Sequence, residues 1–136
     1  MSTVIEGWLA RAPELRSALR IVAGLMFLMA GTSKLFAWPV GMPPNGSTAA
    51  FGSQIWIGGL LEFVCGGLLT VGLLTRPAAF LMAGQMAVAY FQFHFPQAFW
   101  PTQNGGVGAV LYCFVWLYFS AVGPGPWSVD ALRRKS

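Results

Sequence analysis

Between Ile21 and Val129 only three side chains carry a formal charge: Lys34, Glu62 and Arg76. Soluble domains are about 25% charged, whereas this chain is 9% charged and 56% hydrophobic. Such a surface is solvated by lipid, and the sequence therefore reads as an integral membrane protein. An ion inside the bilayer costs at least about 2.5–3.5 kcal/mol at the centre. One base and one acid in the stretch Ile21 to Thr75 predict a Lys34–Glu62 pair, and an intramembrane pair is the first place to look for function. The competing reading is that Lys34 snorkels to the outer headgroups without meeting Glu62.

The apolar runs predict four spans. The first runs from Leu19 to Ala37 and ends at a Pro- and Gly-rich loop, 38–53. The second runs from Gln54 to Leu74. Thr75-Arg76-Pro77 is expected as a tight turn, with Pro77 opening the next helix. The third span covers Ala78 to Phe95, followed by a long loop to Gly106. The fourth covers Val107 to Val122, and the GPGP at 123–126 stops it. Each run is near the length that crosses about 30 Å of hydrocarbon.

Basic residues give the orientation. Arg11, Arg16 and Arg20 precede span one, Arg76 sits between spans two and three, and Arg133, Arg134 and Lys135 follow span four. The other two loops contain neither Lys nor Arg. The expected fold is therefore an all-α bundle of four transmembrane helices with both termini cytoplasmic, in the plasma membrane. It divides into an interfacial N-terminal segment (1–18), the membrane domain (19–132) and a basic tail (133–136). Thr3-Val4-Ile5-Glu6 has capping-box spacing and predicts a short interfacial helix, with a frayed tail as the alternative. Charges ahead of a run long enough to span read as an uncleaved anchor.

Helical spacing then gathers the candidates. Arg20, Gly24, Phe27, Gly31 and Lys34 share a face of span one, and Gly58, Glu62 and Gly66 share a face of span two. Glycines beside a charge let neighbouring backbones approach. Counted from Arg20 and Arg76, Lys34 and Glu62 are both 14 residues in, at one depth in the outer half of the bilayer. On span three Tyr90 shares a face with His94, expected slightly outside that level. On span four Tyr112 and Trp116 (or Val115) share a face, and Asn104 just precedes the helix. The expectation is an outward-opening polar pocket with Lys34, Glu62 and His94 as reactive groups and Tyr90, Asn104, Tyr112 and Trp116 as ligand contacts. The plainer readings are an interfacial or capping His94, tyrosines anchoring backbone, and a turn at Asn104. At the opposite side Asp130, in a short helix capped by Ser128, is expected to form structural ion pairs with Arg20 and Arg76.

Other classes find little support. The basic residues form no patch with interleaved aromatics, so no nucleic-acid partner is expected. Cys65 and Cys113 lie in apolar runs without a CxxC and read as small buried hydrophobes. One His and one carboxylate do not make a metal site. Asp130 is expected on the side opposite His94, which leaves no Ser/His/Asp set.

The chain resembles the DoxX family of small four-helix bacterial membrane proteins. The resemblance runs from Leu19 to Leu132. It rests on Arg20 with Gly24, AGTSKLF (30–36), Glu62 with GGLLTVGLLTRPAA (66–79), Met86 and Ala89 leading to His94, NGG (104–106), and GPGPWSVD (123–130). It implies that Arg20, Lys34, Glu62, His94 and Asp130 are motif positions. It also implies kinship with the membrane subunit of thiosulfate:quinone oxidoreductase and with components of thiol-linked oxidoreductase assemblies. The expected function is thus a membrane subunit of a quinone-linked oxidoreductase system, with no covalently bound cofactor, quinone as the ligand, and a redox-enzyme partner supplying electrons. The alternatives are a non-enzymatic scaffold for a redox enzyme and a small-molecule or proton-coupled carrier, which would need a homo-oligomer to make a path.

Overall fold

A computed structural model describes residues 2–135. Its helices are α1 (Thr3–Leu9), α2 (Ala12–Phe36), α3 (Gln54–Val71), α4 (Thr75–Ala89), α5 (Pro101–Asn104), α6 (Val107–Val122) and α7 (Val129–Lys135). A π-helical turn, Tyr90–His94, continues α4. No strand occurs among the described residues; a single antiparallel bridge pairs Met42 with Ser47.

The molecule is apolar outside and polar at selected points inside. Met29 on α2, Val64 on α3, Phe80 on α4 and Phe114 on α6 all face outward, while Arg20 and Glu62 are 0% and 4% exposed. A water-soluble protein distributes these residues the other way. Two helices, α2 and α3, are long and apolar enough to cross a membrane, and only 28% of each apolar window is buried within the molecule.

Glycine sets the packing. α2 and α3 run antiparallel in the closest contact of the fold, and α4 packs chiefly on α6. A Cβ at Gly31 would lie 2.5 Å from Phe63 N, and one at Gly66 would lie 2.5 Å from Leu28 N. Only glycine lets the two backbones come so near. α2 meets α6 through rings instead: Phe27 stacks edge-on against Tyr112 and Trp116, with centroids 4.8 and 5.3 Å away. Leu69, Met82, Trp116 and Phe119 form the sealed centre of the core. The α3–α4 contact is lighter. Two amide links bridge that seam: Gln85 to α3, and a reciprocal bond between Gln54 and Gln92.

The end of the bundle near the chain termini is tied by side-chain-to-backbone bonds. Arg20 is fully buried and donates to Leu69 O at 2.8 Å, to Trp127 O at 2.6 Å and to Pro124 O. Asp130 accepts from Leu74 N and Thr75 N, each at 3.0 Å, and its own N–H donates to Gly72 O. Arg76 donates to Ala121 O. No ion pair within 4.0 Å joins Arg20, Arg76 and Asp130 among the described residues, although Asp130 is near enough for its charge to act on Arg20. Each of these side chains instead satisfies main-chain groups left over where helices end, the groups that most need a partner in lipid.

Several boundaries differ from the sequence reading. α2 begins at Ala12 rather than Leu19, because Pro13 and Glu14 suit a first helical turn. α3 stops at Val71, where Gly72 turns left-handed at φ 75°. α4 already starts at Thr75, so Arg76 and Pro77 are inside its first turn rather than before it. α1 is capped by Ser2, whose Oγ accepts from Val4 N, and not by Thr3. Ser128 does cap α7, with Oγ accepting from Ala131 N at 3.1 Å.

Candidate functional site

Lys34, Glu62 and Gln85 meet where α2, α3 and α4 converge. Lys34 Nζ lies 2.7 Å from Glu62 Oε2 and 3.0 Å from Oε1. Gln85 Nε2 donates to Glu62 Oε1 at 2.9 Å and to Gly58 O at 3.3 Å. The Glu62 side chain is 6% exposed and that of Lys34 27%. Full burial of an unpaired carboxylate would be prohibitive, and three donor contacts are what make this position tenable.

The local sequence explains how two donors reach one acid. Gly58 and Gly59 sit one turn before Glu62 on α3. A Cβ on Gly59 would lie 2.8 Å from Lys34 Cβ, and a Cβ on Gly58 would lie 3.3 Å from Gln85 Nε2. The glycine pair therefore clears a path on both sides of the helix. Lys34 arrives along one side and Gln85 along the other.

This group forms part of the wall of a cavity of about 1390 Å³. Leu61, Phe80, Leu81, Met86 and Phe93 supply much of its apolar surface, and Lys34, Glu62, Gln85, Gln54, Gln97 and His94 its polar points. The cavity is larger than the roughly 300–1,000 Å³ that suits a compact ligand, and its mostly apolar wall with few polar points fits a molecule with a head and a tail.

The expected site residues do not all gather there. His94 lines the cavity, but it is nine residues beyond Gln85 on the continuous run of α4 and the π turn. That puts it about 13 Å farther along the axis. It lies farther beyond the level of Glu62 than the slight offset expected, because α3 ends at Val71 and counting the depth of Glu62 from Arg76 overshoots. His94 Nδ1 is 3.1 Å from Asn104 O. A carbonyl only accepts, so Nδ1 carries the proton and Nε2 is the acceptor of the neutral ring.

Tyr90 and Asn104 stand outside the cavity lining and brace the loop before α6. Asn104 Nδ2 donates to Tyr90 Oη and Ala98 O, while its Oδ1 accepts from Gly106 N. Tyr112 does line the cavity, and its hydroxyl contacts Met26 Sδ at 3.1 Å. Trp116 is fully buried in the core and does not reach the cavity.

Gln85 is the member that sequence reasoning missed. The face chosen on its helix was that of Tyr90 and His94. The available signal was an amide in the middle of an otherwise apolar helix, where it must find a partner.

An all-helical molecule with an apolar exterior and a buried acid–base pair is a helical membrane protein. The DoxX family model matches residues 15–95, and the chain belongs to the DoxX family. It is also 38% identical over 121 residues to a protein of Haemophilus influenzae described as an uncharacterized protein, covering 87% of this chain and 90% of that one. No solved structure matches.

Proposed function

We propose that this chain is the membrane subunit of a quinone-linked oxidoreductase system. It crosses the inner membrane four times with both termini in the cytoplasm. The observation that carries the ligand reading is the cavity, whose long apolar wall meets one compact cluster of hydrogen-bonding groups at Lys34, Glu62 and Gln85. A quinone fits that division of surface: the polar cluster takes the ring oxygens, and Phe80, Phe93 and the aliphatic wall hold the tail.

Four crossings are supported by length as well as charge. α4 has 15 residues and runs on through five more, near the length needed to span, and α6 is an apolar helix of 16 residues. Arg11, Arg16, Arg76, Arg133 and Arg134 fall at one end of this arrangement.

A bound quinone supplies two-electron, two-proton chemistry, with electrons drawn from a donor on a partner enzyme. The residues of this chain bind and orient. The Lys34 ammonium offers a donor to a ring oxygen, and Glu62 keeps that ammonium in place. His94, at the far level of the cavity, is an acceptor through Nε2 where protons pass to or from the outside.

Thermal shift with a short-tailed quinone in detergent tests the reading. The wild type is expected to be stabilised, and Glu62→Gln to lose most of that response. Asp130→Asn, at the tied end, should keep it. A wild type indifferent to the quinone would overturn the proposal. The scaffold reading would then lead, favoured by the mutual pairing of Lys34 and Glu62, which lets the pair act as a plain structural lock.

A further inference from the structure

The C-terminal end of α6 is held by arginines from two other helices. Arg16 of α2 donates through Nη1 to Val122 O at 3.4 Å, and Arg76 of α4 donates through Nη1 to Ala121 O. The acceptors are consecutive carbonyls of the last helical turn. Such oxygens are roughly 3.5 Å apart in a helix, so the two charged heads come within reach of one phosphate group. Gly123 keeps the spot open. A Cβ there would lie 3.0 Å from Arg76 Nη2 and 3.3 Å from its Cζ, so the guanidinium rests against a residue with no side chain. The end of a helix offers these cations only about half a negative charge. Two full positive charges therefore remain largely unbalanced.

No acid completes the balance. Among the described residues, no carboxylate oxygen lies within 4.0 Å of Arg16 or Arg76. Glu14 faces Arg11, and Asp130 is occupied by the N–H groups of Leu74 and Thr75. Arg76 is exposed and Arg16 half-buried. Arg76 uses one of its five N–H donors on α6, which leaves an accessible fork for an outside anion. The rim decides what kind of anion fits. Leu19 and Phe80 lie one helical turn beyond Arg16 and Arg76, and Leu117 and Tyr118 one turn before the two carbonyls. All four are exposed. They form an apolar border on the bilayer side of the arginines, with no use for a soluble anion and a ready contact for acyl chains.

We propose that Arg16 and Arg76 form a binding site for the phosphate of an anionic membrane lipid, with its chains lying against Leu19, Phe80, Leu117 and Tyr118. The planar guanidinium matches phosphate geometry with two parallel donors. A zwitterionic headgroup fits less well, because it brings its own cation to the same two charges. The bound lipid joins α2, α4 and α6 at the end where their arginines meet. This site rests on the four crossings proposed above, which reporter fusions test separately, and not on the quinone.

Native mass spectrometry of the full chain, released from neutral detergent, tests the site. The lipids are dioleoylphosphatidylglycerol and dioleoylphosphatidylcholine, which share their chains and differ in net charge. Each basic residue near a headgroup is worth about fivefold in affinity. Wild type should therefore bind its first phosphatidylglycerol roughly twentyfold more tightly than phosphatidylcholine. Arg16→Gln and Arg76→Gln should each lower that ratio about fivefold, and the double variant should bring it close to one. Arg11→Gln removes the same charge at the same end of the molecule and should leave the ratio unchanged. Equal affinities for the two lipids in wild type overturn the proposal. So do equal losses in all three single variants, which would mean a diffuse surface charge. Excess sn-glycerol 3-phosphate should leave the lipid in place; displacement would make this a soluble-phosphate site and overturn the lipid assignment. Arg76 is exposed, so Arg76→Gln against Arg11→Gln decides the matter if Arg16→Gln does not fold.

Discussion

Asp130 caps a helix that begins 55 residues before it: its Oδ2 accepts from Thr75 N at 3.0 Å, and its Oδ1 from Leu74 N at the same distance. α4 has no side-chain cap of its own, and Leu74 at its start is left-handed, with φ 53°. The cap is therefore supplied in space rather than in sequence. Asp130→Ala should lower stability by about 1–2 kcal/mol, the usual worth of an N-cap acceptor. Asp130→Asn, which keeps one acceptor oxygen, should lose less. Chemical denaturation in mild detergent measures both.

The same residue gives the protein an acid-sensitive element. Burial pushes the Asp130 carboxyl up, but the N–H groups of Thr75 and Leu74 and the charge of Arg133 outweigh it and hold the group below its usual range. A carboxylate whose pKa is lower folded than unfolded stabilises the fold above its unfolded value, about 3.9, and the contribution disappears as pH falls through the folded value. Melting temperatures recorded from pH 6 downward should fall below about pH 4, and less steeply in Asp130→Asn. Parallel curves for the two proteins would locate the acid sensitivity elsewhere.

Lys34 and Glu62 should be energetically coupled. Removing one partner of a fully buried pair costs about 3–5 kcal/mol; the partial exposure of Lys34 puts this pair below that range. Lys34→Met and Glu62→Gln should each destabilise, and the double variant should recover part of the loss. Strict additivity of the two losses would mean that the contact has no energetic weight.

The glycine contact between α2 and α3 makes a sharper comparison. In Gly66→Ala the new methyl would meet the Leu28 backbone nitrogen at 2.5 Å, so the helices must part. A loss of about 1–3 kcal/mol is expected, the range for overpacking. Gly67→Ala, one residue along, meets nothing within 4 Å. It should be neutral or should stabilise by up to about 1 kcal/mol, since Gly is poor in a helix interior.

Topology is open to direct measurement. Reporter fusions after Ser53 and Gly105 should register outside, and fusions after Arg76 and Ser136 in the cytoplasm. A cytoplasmic signal from either of the charge-free loops would overturn four crossings.

How much of this was legible in the sequence depended on the length scale. Helical periodicity brought Lys34 and Glu62 to facing glycine-lined stripes, because the depth of a residue on a straight helix is linear in its number. It misjudged His94, because the turn between α3 and α4 consumes residues without advancing through the bundle, so counting from Arg76 carried an offset. It missed Gln85, an uncharged residue whose role appears only when Gly58 and Glu62 are on the neighbouring helix. It also expected charge to pair with charge at Arg20, Arg76 and Asp130. Pattern reading counts side chains, whereas the partners those three residues found were main-chain N–H and C=O groups at helix ends, which every residue except Pro carries in full and no sequence pattern marks.

The three carbonyls that hold Arg20 also set a timetable. Leu69 comes 49 residues after it and Trp127 comes 107 after. At roughly 5–20 residues per second of synthesis, the guanidinium waits about 5–20 s for its last acceptor. A newly inserted α2 therefore carries a guanidinium without its full set of acceptors until Trp127 has been made. The strap from Gly123 to Trp127 completes this set of acceptors, and until it arrives Arg20 must borrow partners from water, headgroups or the insertion machinery.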